Sequence, residues 1–264
     1  MLQLLPLQHF NALVCGGSKG IGLASAKKLA EMGANITLLS RNTEKLNHAL
    51  DQLPVVCVSQ YHDYLAADLG DLQGKEDKLK KIFKDKTYSI LINNSGGPEA
   101  GPISQADPMA FEKAFRQHVI ASHLITMALL PGMKKSQYGR IINIISTSVK
   151  IPLKGLGVSN TIRGAMANWS KTLSNELAPF GITVNNILPG ATSTERLQEI
   201  ITDKSKKSLR DQDEIAREMA AEIPMGRFAR PEEIAAAVAF LAGPEASYIT
   251  GINLPVDGGR TGSL

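Results

Sequence analysis

Short apolar runs alternate along this chain with longer stretches whose apolar residues recur at helical spacing. The runs are FNALVC (10–15), NITLLS (35–40), YHDYLAADL (61–69), SILINN (89–94), GRIINIIS (139–146), ITVNNILPG (182–190) and GINLPVDGG (251–259). Runs that are apolar throughout mark strands buried on both faces. Strands joined by helices run parallel, with the helices covering the sheet. The reading is an α/β fold: one doubly wound parallel sheet of about seven strands, in a single domain over 1–264. No repeat, low-complexity tract or linker divides the chain.

The helical stretches are expected at 21–33, closing on Gly33; at 43–53, with Thr43 as N-cap; as a surface helix over the charged stretch 70–85, its Lys/Glu/Asp run a solvated face; at 108–133 and 156–179; and from Pro231. Residues 191–225 are polar, with no strong apolar stripe. A connection that long is commonly functional, and a lid over a substrate is expected there.

Composition excludes several classes. With 29 basic against 25 acidic residues, net +4, there is no basic run or aromatic ladder to suggest nucleic acid. No apolar stretch reaches the roughly 20 residues of a membrane span. The opening MLQLLPLQHF lacks the cationic region and cleavage site of a signal peptide, and reads as an arm leading into the first strand. Cys15 and Cys57 form no CxxC pair, so neither a disulfide framework nor a metal site is expected, and a reducing cytoplasm fits.

The segment CGGSKGIG (15–22) follows one strand and opens a helix. Glycines at 16, 20 and 22 let the backbone turn tightly and approach a pyrophosphate, which meets free N–H groups at the helix start. The same spacing also fits a turn with close helix packing. An NAD site usually carries a carboxylate at the end of the second strand. Here that place reads Ser40, Arg41, Asn42. Arg41 suits a 2′-phosphate, and Lys19 adds positive charge, so NADP(H) is expected.

Together these motifs resemble the short-chain dehydrogenase/reductases over most of the chain. GGSKGIG is similar to that family's glycine motif, with Cys15 where threonine is usual. Asp68-Leu69 resembles its adenine contact, NNSG (93–96) its NNAG, and Ser146 its catalytic serine. Pro189-Gly190 with Thr192 and Thr194 is similar to the nicotinamide-side loop. Residues 226–242 and 249–259 resemble the end of bacterial 3-oxoacyl-(acyl-carrier-protein) reductases. The resemblance implies coenzyme contacts at Gly16, Ser18, Lys19, Gly20, Ile21, Gly22, Arg41, Asp68, Leu69, Asn94, Gly96, Arg163, Pro189, Gly190, Thr192 and Thr194. It implies a carbonyl or acyl-thioester substrate. It also implies a homodimer or homotetramer built on the helices of 108–133 and 156–179, with the last strand as a second contact.

In that family a tyrosine donates the proton, a lysine lowers its pKa and holds the ribose, and an asparagine anchors a water relay. Here Ser159 stands for the tyrosine, thirteen residues after Ser146, Arg163 for the lysine and His118 for the asparagine. An aliphatic hydroxyl is a far weaker acid than a phenol near pKa 10. Ser146, Ser159, Arg163 and His118 are the candidate catalytic set, with His118, Lys150, Lys154 or a water held by the serines as substitute proton sources. Two readings follow: an oxidoreductase with a rearranged proton path, or a coenzyme-binding sensor or structural partner.

Overall fold

The structure, a computed structural model, describes residues 5–263, without the side chain of Lys78. Seven parallel strands form one sheet in the order β3-β2-β1-β4-β5-β6-β7. They are β1 (Asn11–Cys15), β2 (Asn35–Ser40), β3 (His62–Ala66), β4 (Ile90–Asn93), β5 (Gly139–Ile144), β6 (Ile182–Pro189) and β7 (Asn253–Val256). Alternate residues of each strand enter opposite cores, as the two-residue period of a strand requires. Ala12 and Val14 pack with Leu29 of α1 (Gly20–Glu31), Leu46 of α2 (Thr43–Leu50) and Val238 of α9 (Pro231–Ala242). Leu13 and Cys15 pack on the other side with Leu79 of α3 (Glu76–Ile82), Ile125 of α5 (Ala121–Ser136) and Leu173 of α6 (Gly157–Leu177).

The expected doubly wound sheet is present, and several boundaries move. Asn42, not Thr43, caps α2, its side chain accepting from the Lys45 N–H at 2.8 Å. The charged stretch 70–85 is α-helical only over α3, a surface helix as expected: Glu76, Asp77, Lys80 and Lys81 are exposed, while Leu79 and Phe83 anchor it to the core. The helix expected over 108–133 consists of α4 (Pro108–Phe115), a π-helical turn (Arg116–Ile120) and α5. Residues 191–225 hold α7 (Glu195–Ser208) and α8 (Gln212–Ala221), pinned by a small cluster of Leu197, Ile201 and Ile215. Of the expected N-terminal arm, residues 1–4 lie outside the described residues; Leu7 is fully buried and its N–H donates to the Met32 carbonyl at 2.9 Å.

A row of asparagines fastens the C-terminal half of the sheet. Asn93, Asn143, Asn186 and Asn253 sit at paired positions on β4, β5, β6 and β7. Asn93 donates to Asn143 at 2.8 Å, Asn143 donates to Asn186 at 3.0 Å and to Ser170 of α6 at 2.8 Å, and Asn186 donates to Asn253 at 2.8 Å. Satisfied in this way, buried amides fix register; with a member missing, each neighbour keeps its desolvation cost without its bond. Asn143→Ala is expected to destabilise the protein by about 1–3 kcal/mol, since it leaves the buried Asn93 amide without its acceptor while Asn186 keeps its bond from Ser170. Urea unfolding measures this, and a loss below about 1 kcal/mol would remove the row as a fastening.

Candidate active site

β1 has β2 on one side and β4 on the other, so chain direction across the sheet reverses there. Such a switch point opens a crevice beyond the carboxyl ends of the strands. The loop after β1 lies in it and is tightly constrained. Gly16 has φ +59, and a Cβ there would come within 2.7 Å of the Asn94 amide nitrogen. A Cβ on Gly22 would meet that nitrogen at 2.8 Å and collide with the Gly16 carbonyl. Asn94, after β4, donates to the carbonyls of Cys15 at 3.3 Å and Gly16 at 3.4 Å. Ser18 Oγ is 3.1 Å from Ser40 Oγ, which ties the loop to the end of β2.

Lys19 is the N-cap of α1, but no side chain caps the helix and its first turn has no acidic residue. The free N–H groups beginning at Gly20, Ile21 and Gly22, with the positive end of the helix dipole, suit a pyrophosphate. The glycine cradle therefore fits a dinucleotide. Arg41 is exposed beyond β2, 3.9 Å from a carboxylate oxygen of Asp68. A pair that exposed and that long holds Arg41 weakly, which leaves it available to a phosphate. The other Asp68 oxygen accepts from the Gly70 N–H at 2.9 Å and starts a short 3-10 turn at Leu69.

The loop after β6 closes the opposite wall. Gly190 lies against Asp257, which a Cβ would approach to 2.8 Å. Thr192 pairs with Ala229, and Thr194 caps α7, accepting from the Leu197 N–H at 3.4 Å. The first turn of α7 then spans the cleft. Thr194 lies over Gly20, Glu195 pairs with Lys19, and Arg196 donates to the Pro98 carbonyl at 2.9 Å. The expected cation of the glycine loop is thus held by a carboxylate from the segment expected to act as a lid.

Of the candidate catalytic set, Arg163 reaches the end of β5, where Ser146 follows, and its charge acts on His118. Ser146 is half-buried, and its Oγ accepts from the Ser148 N–H at 3.1 Å. That bond orients the oxygen and leaves its O–H to donate elsewhere. Ser159 and Arg163 lie four residues apart on α6, one above the other on one helix face. Ser159 is half-buried; Arg163 is 7% exposed, and its Nη1 donates to the Ile144 carbonyl at 3.1 Å. Burial lowers the Arg163 pKa to about 10, which still leaves it charged at neutral pH.

His118 sits in the π turn, a distortion that often marks functional positions. It is 3% exposed, with Nδ1 2.6 Å from Ser95 Oγ and Nε2 buried without a partner. Burial first, and the Arg163 charge second, lower its pKa to about 3, against a weaker opposing effect from the Gly96 backbone. Its imidazole is therefore neutral at ordinary pH. That narrows its part as a substitute acid to relaying a proton, because an imidazolium is not present to donate one.

Sequence reasoning missed Ser95 and Glu195. Ser95 had a visible signal, the serine in NNSG. Glu195 had none, being 176 residues from Lys19. Lys150 and Lys154 lie in the loop that follows β5, and both are exposed.

The chain belongs to the short-chain dehydrogenase/reductases, a family of NAD(P)-dependent oxidoreductases: residues 16–261 match a family model described as enoyl-(acyl carrier protein) reductase. It is 32% identical to the NADPH-dependent reductase BacG of Bacillus subtilis over 254 residues, 96% of this chain and 98% of that protein. It is 30% identical over 253 residues to the 3-oxoacyl-[acyl-carrier-protein] reductase FabG of Vibrio harveyi, covering 94% and 96% of the two chains. Among solved structures, the L-sorbose reductase of Gluconobacter frateurii complexed with NADPH and L-sorbose superposes with a TM-score of 0.89. That match has 29% identity and covers 99% of this chain and 100% of that one.

A buried neutral histidine has a consequence for stability. Its folded pKa of about 3 lies below the unfolded value near 6.5, so between those limits the unfolded chain binds the extra proton. Stability is then lost as pH falls through that window. Relative to His118→Asn, the wild type should lose up to about 1.4 kcal/mol per pH unit on going from pH 6 to 4. Urea unfolding of both proteins across this range checks it; a pH-independent difference would contradict the neutral, buried state.

Proposed function

We propose that the protein is an NADP(H)-dependent oxidoreductase acting on a carbonyl or alcohol, with a proton path that uses no phenol. The observation that carries this reading is Ser146. Its hydroxyl oxygen accepts from the Ser148 N–H, which leaves its O–H to donate, and it stands two residues after the Ile144 carbonyl that the buried Arg163 guanidinium holds. Bound coenzyme supplies or takes the hydride at the substrate carbon. The chain supplies the rest. Gly16, Gly20, Gly22 and the start of α1 seat the pyrophosphate, and Asn94 holds the loop that forms the seat. Asp68 and Leu69 border the adenine; Gly96, Pro189, Gly190, Thr192 and Thr194 border the nicotinamide side. Arg41 recognises the 2′-phosphate. NADPH named with the curated relative and bound in the solved neighbour supports that choice.

Ser146 donates to the substrate oxygen, and Arg163 stabilises the negative charge that grows there. A water between Ser146 and Ser159, in reach of neutral His118, delivers the proton. General acid help is worth about 10²–10⁴-fold, so this route is expected to be slow beside one with a phenol. A second reading has its own support. With His118 neutral and no acid at position 159, the site also suits a coenzyme-responsive sensor. Its active unit is a homo-oligomer, for which a cavity of about 480 Å³ among Phe111, Phe115, Ile120 and Ile162 offers an apolar face.

Two experiments test the reading. Arg41→Ala should weaken NADPH binding about 10–100-fold and leave NADH nearly unchanged, as loss of a charge-assisted contact requires; equal weakening of both would refute the assignment. Ser146→Ala should lower kcat about tenfold or more on any carbonyl substrate that the wild type reduces, with coenzyme affinity kept. If the wild type binds NADPH but reduces no carbonyl, and Ser159→Tyr with Arg163→Lys creates activity, the sensor reading replaces the enzyme.

A further inference from the structure

Arg163 is a buried cation without an anion. It makes one hydrogen bond, to a neutral backbone carbonyl, and among the described residues no carboxylate pairs with it. Its polar neighbour is no help. His118 carries no negative charge, and its Nε2 is itself buried without a partner. Taking a charge out of water costs several kcal/mol unless a partner compensates it. Ion pairs elsewhere in this protein lie mostly at the surface, where that cost is small.

The surroundings of the guanidinium leave room for such a partner. Ser159, one turn before it on the same face of α6, is a short side chain with no hydrogen bond of its own. On the facing loop after β4, the position of a Cβ on Gly97 is 3.9 Å from Nη2, and a Cβ on Gly96 would have nothing within 4 Å. The Ile144 carbonyl that Arg163 holds lies two residues before Ser146. The guanidinium therefore sits at the end of β5, close to the Gly97 side of the facing loop, with open space next to it at Gly96.

A coenzyme ribose would offer hydroxyls to one edge of this fork. Hydroxyls satisfy hydrogen bonds, but they do not neutralise the charge. We propose that the substrate brings the missing anion: Arg163 is the carboxylate-binding residue, and the substrate is a short 2-oxo or 3-oxo acid. Its carboxylate lies in the space above Ser159 and its carbonyl oxygen on Ser146. The planar fork of an arginine receives a carboxylate through two parallel bonds, which the point charge of a lysine does not do. In the reduction the coenzyme would supply a hydride to the carbonyl carbon, the π pair would pass to oxygen, and a water would give that oxygen its proton and regain one from solvent, so that the net change is one hydride and one proton added. This rests on the oxidoreductase reading of the same site.

The test is binding before turnover. Isothermal calorimetry on the full chain with NADPH comes first, followed by oxamate and its neutral counterpart methyl oxamate titrated into the protein with saturating NADP⁺. Oxamate is expected to bind at least tenfold more tightly than the ester, and more weakly as salt rises. Arg163→Gln should weaken oxamate about thirtyfold or more and bring it level with the ester, as removal of one member of a buried charge pair does. Arg163→Lys should recover part of the affinity, and it serves as the second variant if the glutamine protein does not fold. Pyruvate and acetoacetate should then be reduced in preference to butanone. If NADPH binds while oxamate and the ester bind alike, or neutral ketones are the better substrates, the carboxylate assignment is wrong and the oxidoreductase reading stands. If NADPH itself does not bind, both fall.

Discussion

The contact between the loop after β1 and the loop after β4 is the constraint on which the site depends. The carbonyl of Gly16 lies where a side chain on Gly22 would have to go, and Asn94 reaches across to hold that carbonyl and its neighbour. Glycine is required there by contact as much as by conformation. The closeness lets α1 start directly against the sheet, with its first N–H groups uncapped and facing the crevice. A side chain at Gly16 or Gly22 would push the helix away and close the seat.

The asparagine row gives the other half of the sheet its stiffness. It links β4 and β5 near their carboxyl ends to the middle of β6 and the start of β7, below the loops that carry Asn94 and Ser146. Ser170 draws α6 into the same network, and α6 carries Ser159 and Arg163. The candidate catalytic groups therefore stand on a hydrogen-bonded base, while the α7–α8 segment above them rests on a small apolar cluster and exposed ion pairs. Rigid below and lightly fastened above is the arrangement a site needs if its ligands must enter and leave.

Near the end of β5, Arg163, His118 and Ser95 make one environment. Arg163 is charged and buried, His118 is neutral because of burial and of Arg163, and Ser95 holds the histidine ring. A phenol would gain acidity beside such a cation; an aliphatic hydroxyl does not gain enough to matter. What remains is a site strong in positive potential and poor in acids. It is better suited to stabilising an anion than to delivering a proton.

The sequence by itself determined the fold. Apolar strand runs, helical spacing and the glycine turn are local patterns, and hydrophobic burial turns them into a parallel sheet with its crevice at the carboxyl ends of β1 and β4. Ser146, Ser159 and Arg163 could be named as candidates from their spacing along the sequence alone. Only the tertiary structure decided what each group touches. Ser95 meets His118 across 23 residues and Glu195 meets Lys19 across 176, through helix packing that no spacing encodes. It also decided that Arg163 is buried without a counter-ion and that His118 is neutral. Charge state follows from desolvation and from neighbours in space, and both are properties of the packed chain.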